Sequence, residues 1–262
     1  MRFIASRANY NTDIAHLAGL ICELVHIAGA ITIHSGKMYI VNSGIEGLSE
    51  QSQSSTTTRQ RILVASLLLF NEHGEPNTTT NQIANEVDIS PGNLHYHFRR
   101  KSDLVDALLA EFQADARRVL QPAGSEQTSL DDFWVFLHVL LECTAAYRFF
   151  FRDMESLIVE YPNVGKTLRH FAKGLAAAFE LHLHTLADGH VLNPGSDELH
   201  VVARNLAVIA LFSERFDALV EPSSTVDVSS LQIARSILNV LKPFVTEGAA
   251  QHLEELAAHY EM

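Results

Sequence analysis

TTNQIANEVDISPGNLHYHFRRK, residues 79–101, reads as two short helices joined by a tight turn. Thr79 or Thr80 suits the start of the first, because a threonine hydroxyl accepts a hydrogen bond from an otherwise unpaired N–H of the opening turn. Ile83, Ala84 and Val87 then recur at the spacing of an inward stripe on a two-turn helix. Asp88-Ile89-Ser90-Pro91 ends it, since Pro91 disfavours helical geometry at Ser90 yet suits the first turn of the next helix. That second helix runs to Phe98, with Leu94 and Phe98 inward and Asn93, His95 and His97 outside. Arg99-Arg100-Lys101 closes the stretch with positive charge. The whole is a helix-turn-helix, whose second helix is the part that enters a DNA major groove.

The flanks supply its scaffold. Arg59–His73 carries Ile62, Leu63, Ser66, Leu67 and Phe70 at helical spacing, with Leu68 and Leu69 widening the apolar face. Gly74 stops that helix as a left-handed C-terminal residue does. Ser102 is placed to cap a helix from Asp103 to about Val119, in which Leu104, Leu108 and Leu109 face inward and Arg117-Arg118 sits near the favourable C-terminal end.

On these parts, Arg61–Phe112 resembles the DNA-binding domain of the TetR/AcrR-type transcriptional regulators. The family pattern is a first helix ending at a glycine turn, T-T-x-x-x-I-A, a hydrophobic–Ser/Thr step, P-G-x-L-Y-x-H-F and a basic K-x-x-L. The corresponding parts here are RILVASLLLFNEHG, TTNQIA, IS, PGNLHYHF and KSDL. His95 departs from the pattern, which usually has tyrosine there. The close match covers roughly a fifth of the chain. The resemblance implies an all-α fold, with an N-terminal three-helix helix-turn-helix domain followed by a helical ligand-binding and dimerisation domain. It also implies a homodimer with two heads on one pseudo-palindromic, double-stranded DNA operator, released by a small-molecule effector. Asn93 and His95 are then expected at base edges or nearby phosphates, and Thr80, Tyr96, His97 and Lys101 on the DNA backbone.

Composition agrees with a folded, helix-rich chain of one to two domains: 262 residues, 47% hydrophobic, with only 7 prolines. Cys22 and Cys143 lie far apart without CxxC spacing, which suits a reducing cytoplasm better than a disulfide framework. The net charge of −12 sits mostly in the C-terminal part, where residues 119–262 carry 19 acidic and 9 basic side chains. Residues 56–118 are near neutral, with 8 and 7, and locally basic at Arg99–Lys101.

Three domains follow: residues 1–55 as an appendage and flexible linker outside the family pattern, 56–120 as the DNA-binding head, and 128–262 as the effector-binding and dimerisation body. Ala15–Ile33 is apolar enough to raise a membrane span or signal peptide, but Glu23, His16, His26 and two glycines interrupt it and no A-x-A-type site follows. The expectation is no membrane segment, with Met38 an alternative start. Gly44–Thr58, with its run SEQSQSSTTT, is linker by composition.

From Leu130 onward the chain reads as helices: Leu130–Tyr147, Met154–Tyr161, Asn163–Ala187, Asp197–Val220, Ser229–Leu241 and Glu247–Tyr260. The histidines invite a metal site, above all His182, His184 and His190. On a helix, residues two apart point roughly 200° apart, so His182 and His184 cannot share an ion, and no cofactor or metal is expected. Cys143 reads as core. No nucleophile or paired-carboxylate motif supports an enzyme. The dense aromatic group around Phe133–Phe151 is mostly core by spacing; Trp134 and Phe149, with Arg152 and His170 as polar anchors, are the expected effector pocket. The apolar stripes of the last three long helices favour a dimer through Asp197–Val220 and Glu247–Tyr260, with Ser229–Leu241 able to replace either, unless they close one monomeric core. The rival to an effector-responsive repressor is an effector-less architectural or adaptor protein with the same head.

Overall fold

A computed structural model describes residues 31–34, 37–40, 58–121, 129–193, 198–220 and 230–258. Most of the apolar N-terminal segment, Cys22 and the linker tract lie outside the described residues. The chain divides into two compact units, Met1–Ser55 and Thr56–Met262. In the first, β1 (Ile31–His34) pairs antiparallel with β2 (Lys37–Ile40), Ile31 opposite Ile40 and His34 opposite Lys37. The sequence leads to no expectation of this hairpin, because four residues of alternation are too few to stand out from an apolar surround. Met38 lies within β2, so a chain starting there would lack the partner strand.

The second unit is helical. α1 (Thr58–His73), α2 (Thr80–Val87) and α3 (Pro91–His97) form the head. Gly74, at φ 92°, terminates α1 in the left-handed region that glycine enters without cost. Thr79 caps α2 reciprocally: its Oγ1 accepts from the Gln82 N–H at 3.2 Å, and its own N–H donates to Gln82 Oε1 at 2.7 Å. Ser90 Oγ accepts from the Asn93 N–H at 3.2 Å, and Pro91 opens α3. Ile62, Phe70, Ile83, Leu94, Phe98 and Leu104 are buried together as the head's core. Leu68, expected to widen the inward face of α1, is exposed, as is Val64 one turn before it.

α4 (Lys101–Val119) joins the head to the body. It starts two residues earlier than expected, and Asp103 rather than Ser102 serves its N-terminus, accepting from the Arg100 N–H at 3.0 Å. The body comprises α5 (Leu130–Ala146), α6 (Arg148–Arg152), α7 (Met154–Glu160), α8 (Pro162–Asp188), α9 (Glu198–Val220), α10 (Ser230–Leu241) and α11 (Glu247–Ala258). The five-residue α6 is too short to register as a period. Its Phe149, Phe150 and Phe151 point in directions about 100° apart, yet all three are buried. They manage this because α6 is enclosed on several sides: Phe70 of α1 lies 5.3 Å from Phe149, and Phe112 of α4 lies 5.7 Å from Phe150 and 5.8 Å from Phe151.

The last helices correct one expectation. Ile233, Ala234, Ile237, Leu238 and Leu241 of α10, and Leu253, Leu256 and Ala257 of α11, are all buried within the chain itself. Among the described residues, α11 therefore has no apolar stripe left for a partner. α9 does: Val201, Val208, Phe216, Leu219 and Val220 stay exposed, Phe216 at 65% and Leu219 at 77%.

Glu142 of α5 is largely buried, and desolvation pushes its carboxyl from 4.5 up to about 7. The folded state thus holds the proton more tightly than the unfolded chain does. Stability present below pH 4.5 is lost as pH rises toward 7. Glu142→Gln, which cannot ionise, is expected to add about 1–2 kcal/mol near pH 8.5, after discounting for partial exposure, and to change nothing near pH 4. Urea melts of both proteins at the two pH values check this.

Candidate nucleic-acid interface

The exposed face of the head is built by α3. Leu94 is wholly buried, and Phe98 closes the helix beneath the Arg59 guanidinium, 4.7 Å from the ring centre. These two anchors leave Asn93 and His95 exposed and Tyr96 85% exposed. His97 is half-buried, its ring edge-on to Tyr96 at 5.3 Å. Thr80, the first residue of α2, is half-buried beside the cap. Arg99 and Arg100 are exposed just beyond α3. The surface thus offers amide, imidazole, phenol and guanidinium groups, the types that reach base edges and phosphates. An 85% exposed tyrosine has no packing role to account for it. Arg61 holds the array rigid from behind, donating to the carbonyl of Val87 at 2.6 Å and so tying α1 to the end of α2.

Lys101 behaves differently from the two arginines before it. Its ammonium is turned into the protein, onto the carboxylate of Glu75 at 2.9 Å and the Glu75 backbone carbonyl. Glu75 is the hub of a junction between head and body. Its Oε1 also accepts from the Tyr161 hydroxyl at 2.7 Å, and its N–H donates to Asp153 Oδ2 at 2.9 Å. Burial and the Glu75 carboxylate together raise the pKa of the Tyr161 hydroxyl, keeping it a donor.

The four residues expected to line an effector pocket do not converge. Arg152 is spent on the junction: its guanidinium donates to the carbonyls of Phe70 and Asn71, at the C-terminal turn of α1, and pairs with Asp153 at 3.0 Å. Phe149 is fully buried against Phe70 and Phe150. Trp134 packs on His138, ring centres 4.1 Å apart. Only His170 lines the large groove of the body, between α4 and α8. The junction residues Glu75, Asn71 and Tyr161 carry no local signal, since their contacts between head and body span more than 70 residues.

Of the remaining candidates, His182 and Cys143 belong to the core. His182 is buried 4.4 Å from the Phe136 ring, and burial lowers its pKa; His184 on the same helix is exposed. The Cys143 thiol is buried and pushed up to about 12, which leaves it un-ionised. Among the described residues no group of three or more His, Cys, Asp or Glu could hold a metal ion, and no helix is long and apolar enough to cross a membrane.

A rigid helix-turn-helix with an outward polar helix, fused through α4 to a helical body, defines a DNA-binding transcription regulator rather than an enzyme. Two family models match: bacterial regulatory proteins, tetR family, over residues 62–108, and bacterial transcriptional repressor, TetR, over residues 111–253. The chain belongs to the TetR family.

It is 25% identical over 156 residues to the uncharacterized HTH-type transcriptional regulator YvkB of Bacillus subtilis (strain 168), covering 55% of this chain and 75% of that protein. To the probable HTH-type transcriptional regulator YttP of the same organism it is 29% identical over 69 residues, 26% of this chain and about a third (33%) of that one. Among solved structures it is similar to a TetR-family regulator from Marinobacter aquaeolei VT8, with a TM-score of 0.68 and 28% identity over 78% of this chain and 98% of that one. The TetR family protein CprB from S. coelicolor A3(2) shares the fold, at a TM-score of 0.59 and 20% identity over 78% and 96%.

Proposed function

We propose that the protein is an effector-responsive repressor that binds a pseudo-palindromic operator as a homodimer. The observation that carries this reading is the outward face of α3, where Asn93, His95 and Tyr96 stand exposed on a helix anchored by Leu94. Residues 56–120 act as the head and 128–262 as the body, with residues 1–55 an appendage. The unpartnered stripe on α9 supports a dimer formed through that helix, and a regulator of this kind works on DNA in the cytoplasm. Asn93 and His95 read base edges; Thr80, Tyr96 and His97 position the backbone together with Arg99 and Arg100. Lys101 braces the head from inside.

Mapping the DNA that the purified protein protects, beginning with its own upstream region, tests the reading. Asn93→Ala is expected to cost about 1–3 kcal/mol at one base position while leaving the salt dependence of binding as it is. Competition among operators altered one base pair at a time measures that cost. A uniform loss across all sequences would move Asn93 to the phosphate set.

A further inference from the structure

The groove between α4 and α8 has a volume of about 900 Å³. The two helices run side by side in the same sense. Gln113 Nε2 donates to Thr167 Oγ1 at 2.6 Å, and seven residues further along each helix Leu120 meets Gly174. That second contact is close: a Cβ on Gly174 would lie 2.8 Å from Leu120 Cδ1. The floor of the groove is apolar, from Leu109, Phe112, Ala116 and Phe171, all buried. Its rim is not. Arg117 from α4 and Lys166 and His170 from α8 line it, with Asp106 the one carboxylate among its lining residues.

Residues 119–262 carry 19 acidic side chains against 9 basic, yet cations outnumber carboxylates along this rim. Arg118 pairs with Asp115 at 2.9 Å and Arg215 with Glu155 at 3.0 Å. Among the described residues, Arg117 and Lys166 have no carboxylate within ion-pair distance. Unneutralised cations over an apolar floor suit a ligand with an anionic head and a hydrocarbon body.

We propose that this groove binds a small amphipathic anion, an organic carboxylate, with its head between Arg117 and Lys166 and its apolar part along Ala110 and Leu120, the lining apolar side chains that stay accessible. As a regulatory site it rests on the effector-responsive reading above. The geometry also supplies the coupling. Lys101, the first residue of α4, and Tyr161, the residue before α8, hold the same Oε1 of Glu75 in the head. A ligand that separates α4 from α8 pulls apart the two partners of one buried carboxylate.

The test is calorimetric titration of the full chain with decanoate, decylamine and decanol, followed by operator binding in the presence of each. Decanoate is expected to bind about 10-fold or more tightly than the other two, and Arg117→Gln with Lys166→Gln to abolish that preference. Both side chains are exposed, so the double variant's melting temperature should match the parent's. Decylamine binding as well as decanoate, an unchanged preference in the double variant, or no binding of any of the three overturns the proposal. Decanoate that binds through Arg117 and Lys166 but leaves the operator complex intact supports the site and overturns the effector-responsive reading. Decanoate that releases DNA equally from parent and double variant overturns the site and leaves that reading standing.

Discussion

Phe216→Glu is expected to convert the protein into a 29.0 kDa monomer and to weaken operator binding by about 100-fold or more. The side chain is 65% exposed on α9, amid Val208, Leu219 and Val220, which are also exposed. A single protomer therefore tolerates the charge, and its stability should change by no more than about 0.5 kcal/mol. A partner does not: an obligate interface buries about 2,000 Å² or more of largely apolar surface, and a carboxylate at its centre would be desolvated without a counter-ion. The DNA penalty follows from geometry. Two heads on one site bind as a linked pair, and separating them removes the effective concentration that one bound head gives the other. Sedimentation and operator titration measure both effects. A variant that remains dimeric places the interface away from α9.

Lys101→Ala is expected to destabilise the protein by about 3 kcal/mol, because it strips the counter-ion from a buried carboxylate. Glu75 is only 6% exposed and Lys101 25%, so solvent cannot take over the ammonium's role. The slope of log affinity against log salt should stay as in the parent, whereas loss of a phosphate contact would lower it by roughly 0.9. Glu75→Gln in the same chain keeps an acceptor for Tyr161 while removing the orphaned charge. It should therefore recover much of the loss, a coupling that a double-mutant cycle reads directly. A stable Lys101→Ala protein with a reduced salt slope would return Lys101 to the DNA.

The contrast between Lys101 and Asn93 shows where sequence reading succeeds. A threonine at the start of α2, Ser90 with Pro91, and Leu94 with Phe98 depend on residues within four of each other, and their geometry follows from helix and turn chemistry alone. They place the head and the outward face of α3 without any tertiary knowledge. Arg99-Arg100-Lys101 looks like one uniform run of charge, yet the third member turns inward because Glu75, 26 residues earlier, receives it. Arg152 is similar: its partners on α1 lie about 80 residues away, at Phe70 and Asn71, and no spacing rule reaches that far. The stripes of α9, α10 and α11 make the same point for packing. Periodicity says that a helix has an apolar face; it is silent on whether the cover comes from the same chain, as for Leu256, or is missing from it, as for Phe216. The groove between α4 and α8 was the least legible feature, because a groove is a property of two helices and not of the spacing along either one.

The central claim, that α3 reads DNA as one of two symmetry-related heads, is tested most directly by hydroxyl-radical footprinting of the protein on its operator. Two protected half-sites of inverted sequence are expected, their centres about 10 base pairs or a multiple of one helical turn apart, both lost in Phe216→Glu at the concentration that saturates the parent. A single protected half-site, with affinity and footprint unchanged in Phe216→Glu, would contradict it.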